Sequence, residues 1–399
     1  MSRPRLLLWC QHSLGLGHLS RTLVLCEALR RTFDVTLLNG GRLPSSARVP
    51  AGVSVVSLPP LGHDAQFGLI SHDPDRTVSE AQAARCEQIL DAYDRVAPDV
   101  VLLELYPFGR KAFEPELLPL LERIERAGDA RPLVISSLRD ILVRGRVDQL
   151  RHDERAARAA NRFLDAILVH SDPTFAVLEE SFRPVTPLEV PVFHTGFVAA
   201  GAPSGPDATE KAQRVLVSTG GGMVGEPIVR AAVAAHTLVH STTGLTTTVV
   251  AGPFLPDPVW SWLQEQSAAS ELLTAVRVVD DLAAQMRASA VSLSQAGYNT
   301  TMDLLRSRTP GVVVPYGEGQ EDEQRRRSQR LQELGVLTVL SPDDLSPARL
   351  AEAIATAVSM PAPHTPLDLE GAAATERLLL DLVSAARPSP RPLMFGATR

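Results

Sequence analysis

The sequence predicts an α/β protein of two Rossmann-like, doubly wound domains that face each other across a cleft. Three observations carry this expectation. Short, almost continuously apolar runs alternate with helical stretches along most of the chain, the pattern of parallel strands covered on both faces. The alternation breaks at residues 199–211, AAGAPSGPDATEK, and then restarts. Each half carries a glycine-bearing loop where a strand gives way to a helix. These loops are Gly15-Leu-Gly17-His18-Leu-Ser-Arg21 and Ser294-Gln-Ala-Gly297-Tyr-Asn299-Thr300-Thr301.

The elements follow in order. In the first half, strands are expected at 5–9, 34–38, 53–58, 99–103, 133–136, 166–170 and 192–195, each an apolar, β-rich run. Helices fit between several of them, for example at 19–30, 79–96 and 153–163. In the second half, strands are expected at 215–218, 246–251, 276–279, 290–293 and 311–315, with helices at 227–239, 281–288, 299–306 and 324–334. The domains are then 1–198, a linker at 199–211, and 212–370. A last helix at 371–386 returns to the first domain, and a Pro-rich tail follows at 387–399. Doubly wound sheets bind ligands at the carboxyl ends of their strands, where both glycine loops fall.

Bulk properties narrow the function. The 399 residues are 44% hydrophobic and 21% charged, ordinary for a globular chain with a full core. A net charge of −7 disfavours broad binding to nucleic acid. Aromatics at 5% disfavour a base-stacking platform. Cys10, Cys26 and Cys86 have no metal-ligand spacing and read as reduced cytoplasmic thiols. The basic start Met1–Arg5 precedes an apolar run too short for a signal peptide. No run of eighteen apolar residues suggests a membrane span, although peripheral membrane contact stays open. The expected location is the cytoplasm.

Gly15 and Gly17 let the chain turn sharply off the first strand and approach a ligand. The loop resembles the dinucleotide fingerprint, but Ser20 stands at the third glycine and the second strand ends in Asn39 rather than an acid, which counts against NAD. His18, at the helix start, suits proton abstraction from a bound hydroxyl; its structural alternative is a capping histidine. Arg21 suits an anion or a solvated helix face. In the second half, Ser218-Thr-Gly220-Gly221-Gly222 can direct backbone N–H groups at an anion or form a plain turn. Gly297, Asn299, Thr300 and Thr301 offer a helix N-terminus to a diphosphate. Asp303, on the first turns of that helix, can reach ribose hydroxyls. The pair Glu323-Gln324 combines acceptors and donors that suit adjacent sugar hydroxyls. Asp73-Pro-Asp75 reads as a turn rather than a metal site.

With these residues in place, the chain resembles the GT-B glycosyltransferases of the MurG-like group, which includes the enzyme that adds N-acetylglucosamine to lipid-linked peptidoglycan precursors. The resemblance rests on G-x-G-H-x-x-R at Gly15–Arg21, S-x-A-G-x-N-T at Ser294–Thr300, and P-x(n)-E-x-E-Q ending at Gln324. It implies nucleotide-sugar binding by the second domain and acceptor binding by the first. It implies that Gly220, Gly221 and Gly297 approach the phosphates, that Asp303 replaces the group's usual ribose-binding Glu, and that Glu323 and Gln324 face the donor sugar. His18 matches the group's proposed base, or a residue that positions the acceptor. Tyr106–Arg110 and Arg139-Asp140 match nothing in the group and are left as acceptor-binding or packing segments.

The expected reaction is inverting, metal-independent transfer of a sugar from a nucleoside diphosphate sugar, with UDP as the nucleotide, to a small-molecule or lipid-linked acceptor. No cofactor is expected beyond this co-substrate, and domain closure would exclude water. Rival readings are a nucleotide-sugar 2-epimerase and a non-catalytic nucleotide-binding partner subunit. Serine-hydrolase chemistry is disfavoured because no G-x-S-x-G elbow is present.

Overall fold

A computed structural model describes residues 3–12, 17–44, 47–63, 68–201, 211–316 and 322–386. Gly15, most of the expected linker, the 317–321 loop and the 387–399 tail lie outside the described residues.

The first domain opens with β1 (Arg5–Cys10), α1 (Gly17–Leu29), β2 (Asp34–Asn39) and β3 (Ser54–Ser57). A small antiparallel pair, β4 (Leu61–His63) and β5 (Leu69–Ser71), precedes α2 (Val78–Val96). Then come β6 (Val100–Glu104), α3 (Glu114–Arg126), β7 (Leu133–Arg139), α4 (Gln149–Phe163), β8 (Ala166–His170) and β9 (Val192–His194). The seven-stranded sheet runs β3-β2-β1-β6-β7-β8-β9, with every pairing parallel.

The second domain comprises β10 (Ala212–Ser218), α5 (Glu226–Thr243), β11 (Thr246–Val250), α6 (Asp257–Ala268), β12 (Leu273–Val276), α7 (Leu282–Arg287), β13 (Ser289–Ser294) and α8 (Tyr298–Ser307). It continues with β14 (Gly311–Val313), α9 (Glu323–Glu333), β15 (Thr338–Val339) and α10 (Pro347–Ser359). Its parallel sheet runs β12-β11-β10-β13-β14-β15. In both sheets the strand order reverses beside the first strand, between β1 and β6 and between β10 and β13. Each reversal opens a crevice at the strands' carboxyl ends.

Strands buried on both faces account for the apolar runs. β6, as VVLLE, and β8, as AILVH, are buried at every position. α2 begins where Thr77 and Glu80 form a reciprocal capping box, which satisfies two otherwise orphaned N–H groups. The final helix α11 (Gly371–Ala386) packs on the first domain, where Leu379 and Val383 join Leu6, Leu25 and Leu29. The crossing is close. A Cβ on Gly371 would lie 2.2 Å from the Gly196 carbonyl oxygen, so only glycine fits without a shift.

One strand expectation is corrected. The run expected at 276–279 pairs instead as Leu273–Val276, because Thr247 to Val250 of β11 set its register. β11 ends at Val250, and beyond it the Gly252 N–H takes the Arg277 carbonyl in a turn. Pairing therefore stops although the sequence remains β-rich.

Candidate active site

β1 leads into the first glycine loop and β6 ends at Glu104. Because these strands are neighbours at the reversal, the start of α1 lies against the end of β6. There His18 Nδ1 lies 2.5 Å from Glu104 Oε1. Arg21, one turn further along α1, donates to the same oxygen at 2.6 Å. Arg110 returns from the loop after β6 and donates to Glu104 Oε2 at 3.4 Å. Glu104 and Arg21 are buried, while the His18 side chain keeps 23% exposure.

These contacts decide the protonation states. Burial drives the His18 imidazole down to about 3; Glu104 opposes this, while Arg110 and Arg139 add to it. Burial alone would raise Glu104, but His18, Arg110 and Arg21 outweigh it and hold the carboxyl well below the usual range. Near neutral pH the pair is therefore a neutral imidazole beside a carboxylate. The carboxylate can only accept, so Nδ1–H donates to it and Nε2 keeps its lone pair.

The second domain repeats the arrangement. β10 and β13 end side by side at Ser218 and Ser294, so the Gly220–Gly222 loop lies beside the start of α8. A Cβ on Gly220 would lie 3.5 Å from Thr300 Oγ1. Gly220 and Gly222 have φ values of +59° and +92°. At Gly222 a Cβ would also approach the Ala251 carbonyl oxygen to 2.5 Å. Gly297 is the N-cap of α8 and offers no side-chain cap, which leaves the N-terminal N–H groups open to an anion.

The two glycine loops meet across the domains, where Asn299 Nδ2 donates to the Gly17 carbonyl oxygen at 3.0 Å. Beneath this contact Tyr298 enters the first domain. Its hydroxyl accepts from the Val198 N–H at 2.9 Å and donates to the His170 carbonyl oxygen at 3.3 Å. The Arg21 and Arg327 guanidiniums each lie 5.6 Å from its ring centre.

Asp303 lies half-buried on α8 and has no hydrogen-bond partner among the described residues. Burial, then the neighbouring Asp281, raises its carboxyl to about 7. Glu323 opens α9 and is buried. Arg139 of the first domain donates to its Oε1 at 2.8 Å and lies 2.5 Å from its Oε2. Gln324 Oε1 accepts from the Tyr316 N–H at 3.0 Å. Asp73 is engaged by Arg76 and by the Asp75 N–H, as a turn. No group of three or more metal-ligating side chains occurs among the described residues.

The sequence reading missed Glu104, the sole acid in an otherwise apolar strand. Its signal was position, since it ends the strand that neighbours β1. Arg110 and Arg139 were seen without a role.

Comparisons with known proteins agree with this architecture. Residues 248–376 match the family model described as glycosyltransferase family 28 C-terminal domain. The calicheamicin glycosyltransferase superposes with a TM-score of 0.60 at 17% identity, covering 98% of this chain and 100% of that one. MurG of Acinetobacter baumannii gives 0.57 at 14% identity, covering 96% and 100%. The chain has the GT-B glycosyltransferase fold, and residues 248–376 are similar to the C-terminal domain of glycosyltransferase family 28. Over 126 residues it is 30% identical to the UDP-N-acetylglucosamine–N-acetylmuramyl-(pentapeptide) pyrophosphoryl-undecaprenol N-acetylglucosamine transferase of Sorangium cellulosum, 30% of this chain and 31% of that protein. A glycosyltransferase of Methanopyrus kandleri is 29% identical over 149 residues, 37% and 39% of the two chains. The matched segments thus span well under half of these curated relatives. No helix among the described residues is long and apolar enough to cross a membrane.

Proposed function

We propose that this GT-B chain transfers a sugar from a UDP-sugar to an acceptor hydroxyl or amine, with inversion at the anomeric carbon. The observation that carries the reading is the His18–Glu104 pair, set against the bare N-terminus of α8 and joined to it through Asn299 and Gly17. A base on one wall faces an anion site on the other.

In this reading the acceptor proton passes to His18 Nε2, and Glu104 stabilises the imidazolium that forms. The acceptor oxygen or nitrogen attacks the anomeric carbon from the face opposite the diphosphate, and the bond to the diphosphate breaks. Backbone N–H groups of Gly220–Gly222 and of the first turn of α8, from Gly297 through Asn299 and Thr300, meet the departing charge. The Asp303 carboxylate accepts from ribose hydroxyls, and Glu323 and Gln324 face the donor sugar. Gly17 and Arg21 shape the acceptor wall, Arg21 by holding Glu104.

The sequence relatives and the solved glycosyltransferases support sugar transfer. UDP is supported by the name of the Sorangium enzyme; the dTDP complex of the glycosyltransferase VinC, at TM-score 0.57 and 16% identity, makes the thymidine nucleotide the comparison to run. A thermal-shift panel of UDP, dTDP and their sugars tests the donor, because a ligand that binds only the folded state raises its melting temperature. Acceptor-dependent release of UDP then tests transfer. Product formed with no acceptor would instead indicate epimerisation or hydrolysis.

A further inference from the structure

The segment after β6, Tyr106–Arg110, is anchored along its length. The Ser136 hydroxyl donates to the Tyr106 carbonyl oxygen at 2.7 Å, and the Gly109 N–H to that of Leu105 at 2.8 Å. The Arg155 guanidinium donates to the Pro107 carbonyl oxygen at 3.3 Å. Tyr106 and Phe108 are buried, and Phe108 lies edge-on to Phe182 with ring centres 4.8 Å apart. These contacts hold two non-glycine residues in the left-handed region, Leu105 at φ +64° and Arg110 at φ +61°. Such a backbone costs on the order of 1–3 kcal/mol per residue and persists where the surroundings over-determine it. What the second of them displays is a guanidinium beside the His18–Glu104 pair.

Arg110 is held loosely there. His18 and Arg21 take Glu104 Oε1 at 2.5 and 2.6 Å, whereas Arg110 Nε and Nη2 share Oε2 at 3.4 Å. A hydrogen bond of that length is weak. Arg110 has no other acceptor among the described residues, and its side chain keeps 12% exposure. The charges do not balance either. Glu104 sets one negative charge against two guanidiniums, and the charge of nearby Arg139 is met by Glu323. The excess positive charge opposes the proton transfer assigned to His18, because Arg110 lowers that imidazole. An oxyanion on Arg110 removes the opposition.

We propose that Arg110 is an acceptor-binding residue, and that its fork takes an oxyanionic substituent of the acceptor, a phosphate or a carboxylate, beside the hydroxyl or amine that His18 deprotonates. This rests on the sugar-transfer reading above. The donor diphosphate is assigned to the N-terminus of α8, which meets the first domain at Gly17. Arg110 instead reaches Glu104 from the loop after β6, at the other carboxylate oxygen. A guanidinium presents parallel N–H groups that match the two oxygens of such a substituent, and the long contact to Glu104 yields readily to it. Arrival of the acceptor then neutralises the cation that holds His18 back.

Calorimetry tests this with inorganic phosphate and acetate, each titrated into full-length protein saturated with UDP. Ionic strength is fixed, because salt screens exposed charges. Wild type is compared with Arg110→Met, Arg110→Lys and Glu104→Gln. Wild type is expected to bind at least one of the two anions in the presence of UDP. Arg110→Met should bind it about ten-fold more weakly or worse, the scale of a charge-assisted hydrogen bond, and Arg110→Lys should recover part of that loss. Glu104→Gln should bind it more tightly, because the fork is no longer shared with a carboxylate; an Arg110 that merely braces Glu104 would give no such gain. UDP affinity should stay within about two-fold in Arg110→Met. A UDP-saturated wild type that binds neither anion overturns the inference, as does an Arg110→Met protein that binds them like wild type. A ten-fold loss of UDP affinity in Arg110→Met also overturns it, since Arg110 would then belong to the donor diphosphate. A wild type that binds neither UDP nor a UDP-sugar overturns the sugar-transfer reading and this inference with it.

Discussion

Replacing Asp303 by Asn should stabilise the empty protein and weaken its hold on the nucleotide. The carboxyl stands on α8 without a hydrogen-bond partner among the described residues and with Asp281 nearby, and its pKa rises from the ordinary 3.8 to about 7. At about 1.4 kcal/mol per pH unit, ionising it in the folded state costs about 4 kcal/mol. The sign follows from linkage. The folded state holds this proton more tightly, so the contribution is intact below pH 3.8 and is lost as pH rises through 7. Asparagine removes the charge and hence the loss. Its stabilising effect should grow from about 1 kcal/mol at pH 4.5 to about 4 kcal/mol at pH 8. Denaturant unfolding of both proteins at these two pH values measures it. Calorimetry with UDP should show about ten-fold weaker binding by the variant at pH 8, because the ribose loses a charged acceptor. In the wild type, UDP affinity should fall as pH drops below 7 and Asp303 takes up its proton. A variant whose stability relative to wild type does not change with pH, or one that binds UDP as tightly as wild type at pH 8, would refute the reasoning.

Other perturbations have separate readouts. Arg327 donates to both carboxylate oxygens of Asp140, at 2.7 and 2.8 Å, and the pair is wholly buried; Arg327→Met leaves Asp140 buried without its partner and should cost about 3–5 kcal/mol in urea unfolding, and a loss under about 1 kcal/mol would mean that the pair is solvated. Glu104→Gln removes the carboxylate that orients His18 and stabilises its cation, and kcat should fall about 10²- to 10⁴-fold with little change in UDP affinity; unchanged kcat would remove Glu104 from the mechanism. His18 and His170 are both held near pH 3, chiefly by burial, so each is neutral in the fold but protonates below about 6.5 when unfolded. Stability present above pH 6.5 should therefore decline on acidification, by about 2 kcal/mol per histidine at pH 5. Unfolding midpoints of the Asp303→Asn protein, which lacks the opposing acid, measure this, and a flat profile from pH 7 to 5 would contradict it.

The fold was legible where local pattern and tertiary burial agree. AILVH at Ala166–His170 is apolar because both of its faces are covered, and the last helix, expected at 371–386, forms over Gly371–Ala386. β12 was misplaced because Thr274–Val279 is β-rich throughout, and only the length of β11 decides where pairing stops. The two glycine loops were visible from strand-to-helix junctions. Their contact through Asn299 and Gly17 was not, because it joins residues 282 apart. Glu104 was hidden for a similar reason: one acid at the end of an apolar strand gains meaning only when strand order places it beside His18. Arg139-Asp140 and Glu323–Arg327 are complementary in sequence, but nothing local pairs charges 184 and 187 residues apart.

Transfer as proposed needs His18 to act from one domain on a donor held by the other, so the most direct measurement is His18→Ala, in which kcat for acceptor-dependent UDP release is compared with UDP-sugar affinity. A loss of about 10²-fold or more in kcat with affinity within two-fold of wild type is predicted. Wild-type turnover in the variant would contradict the account.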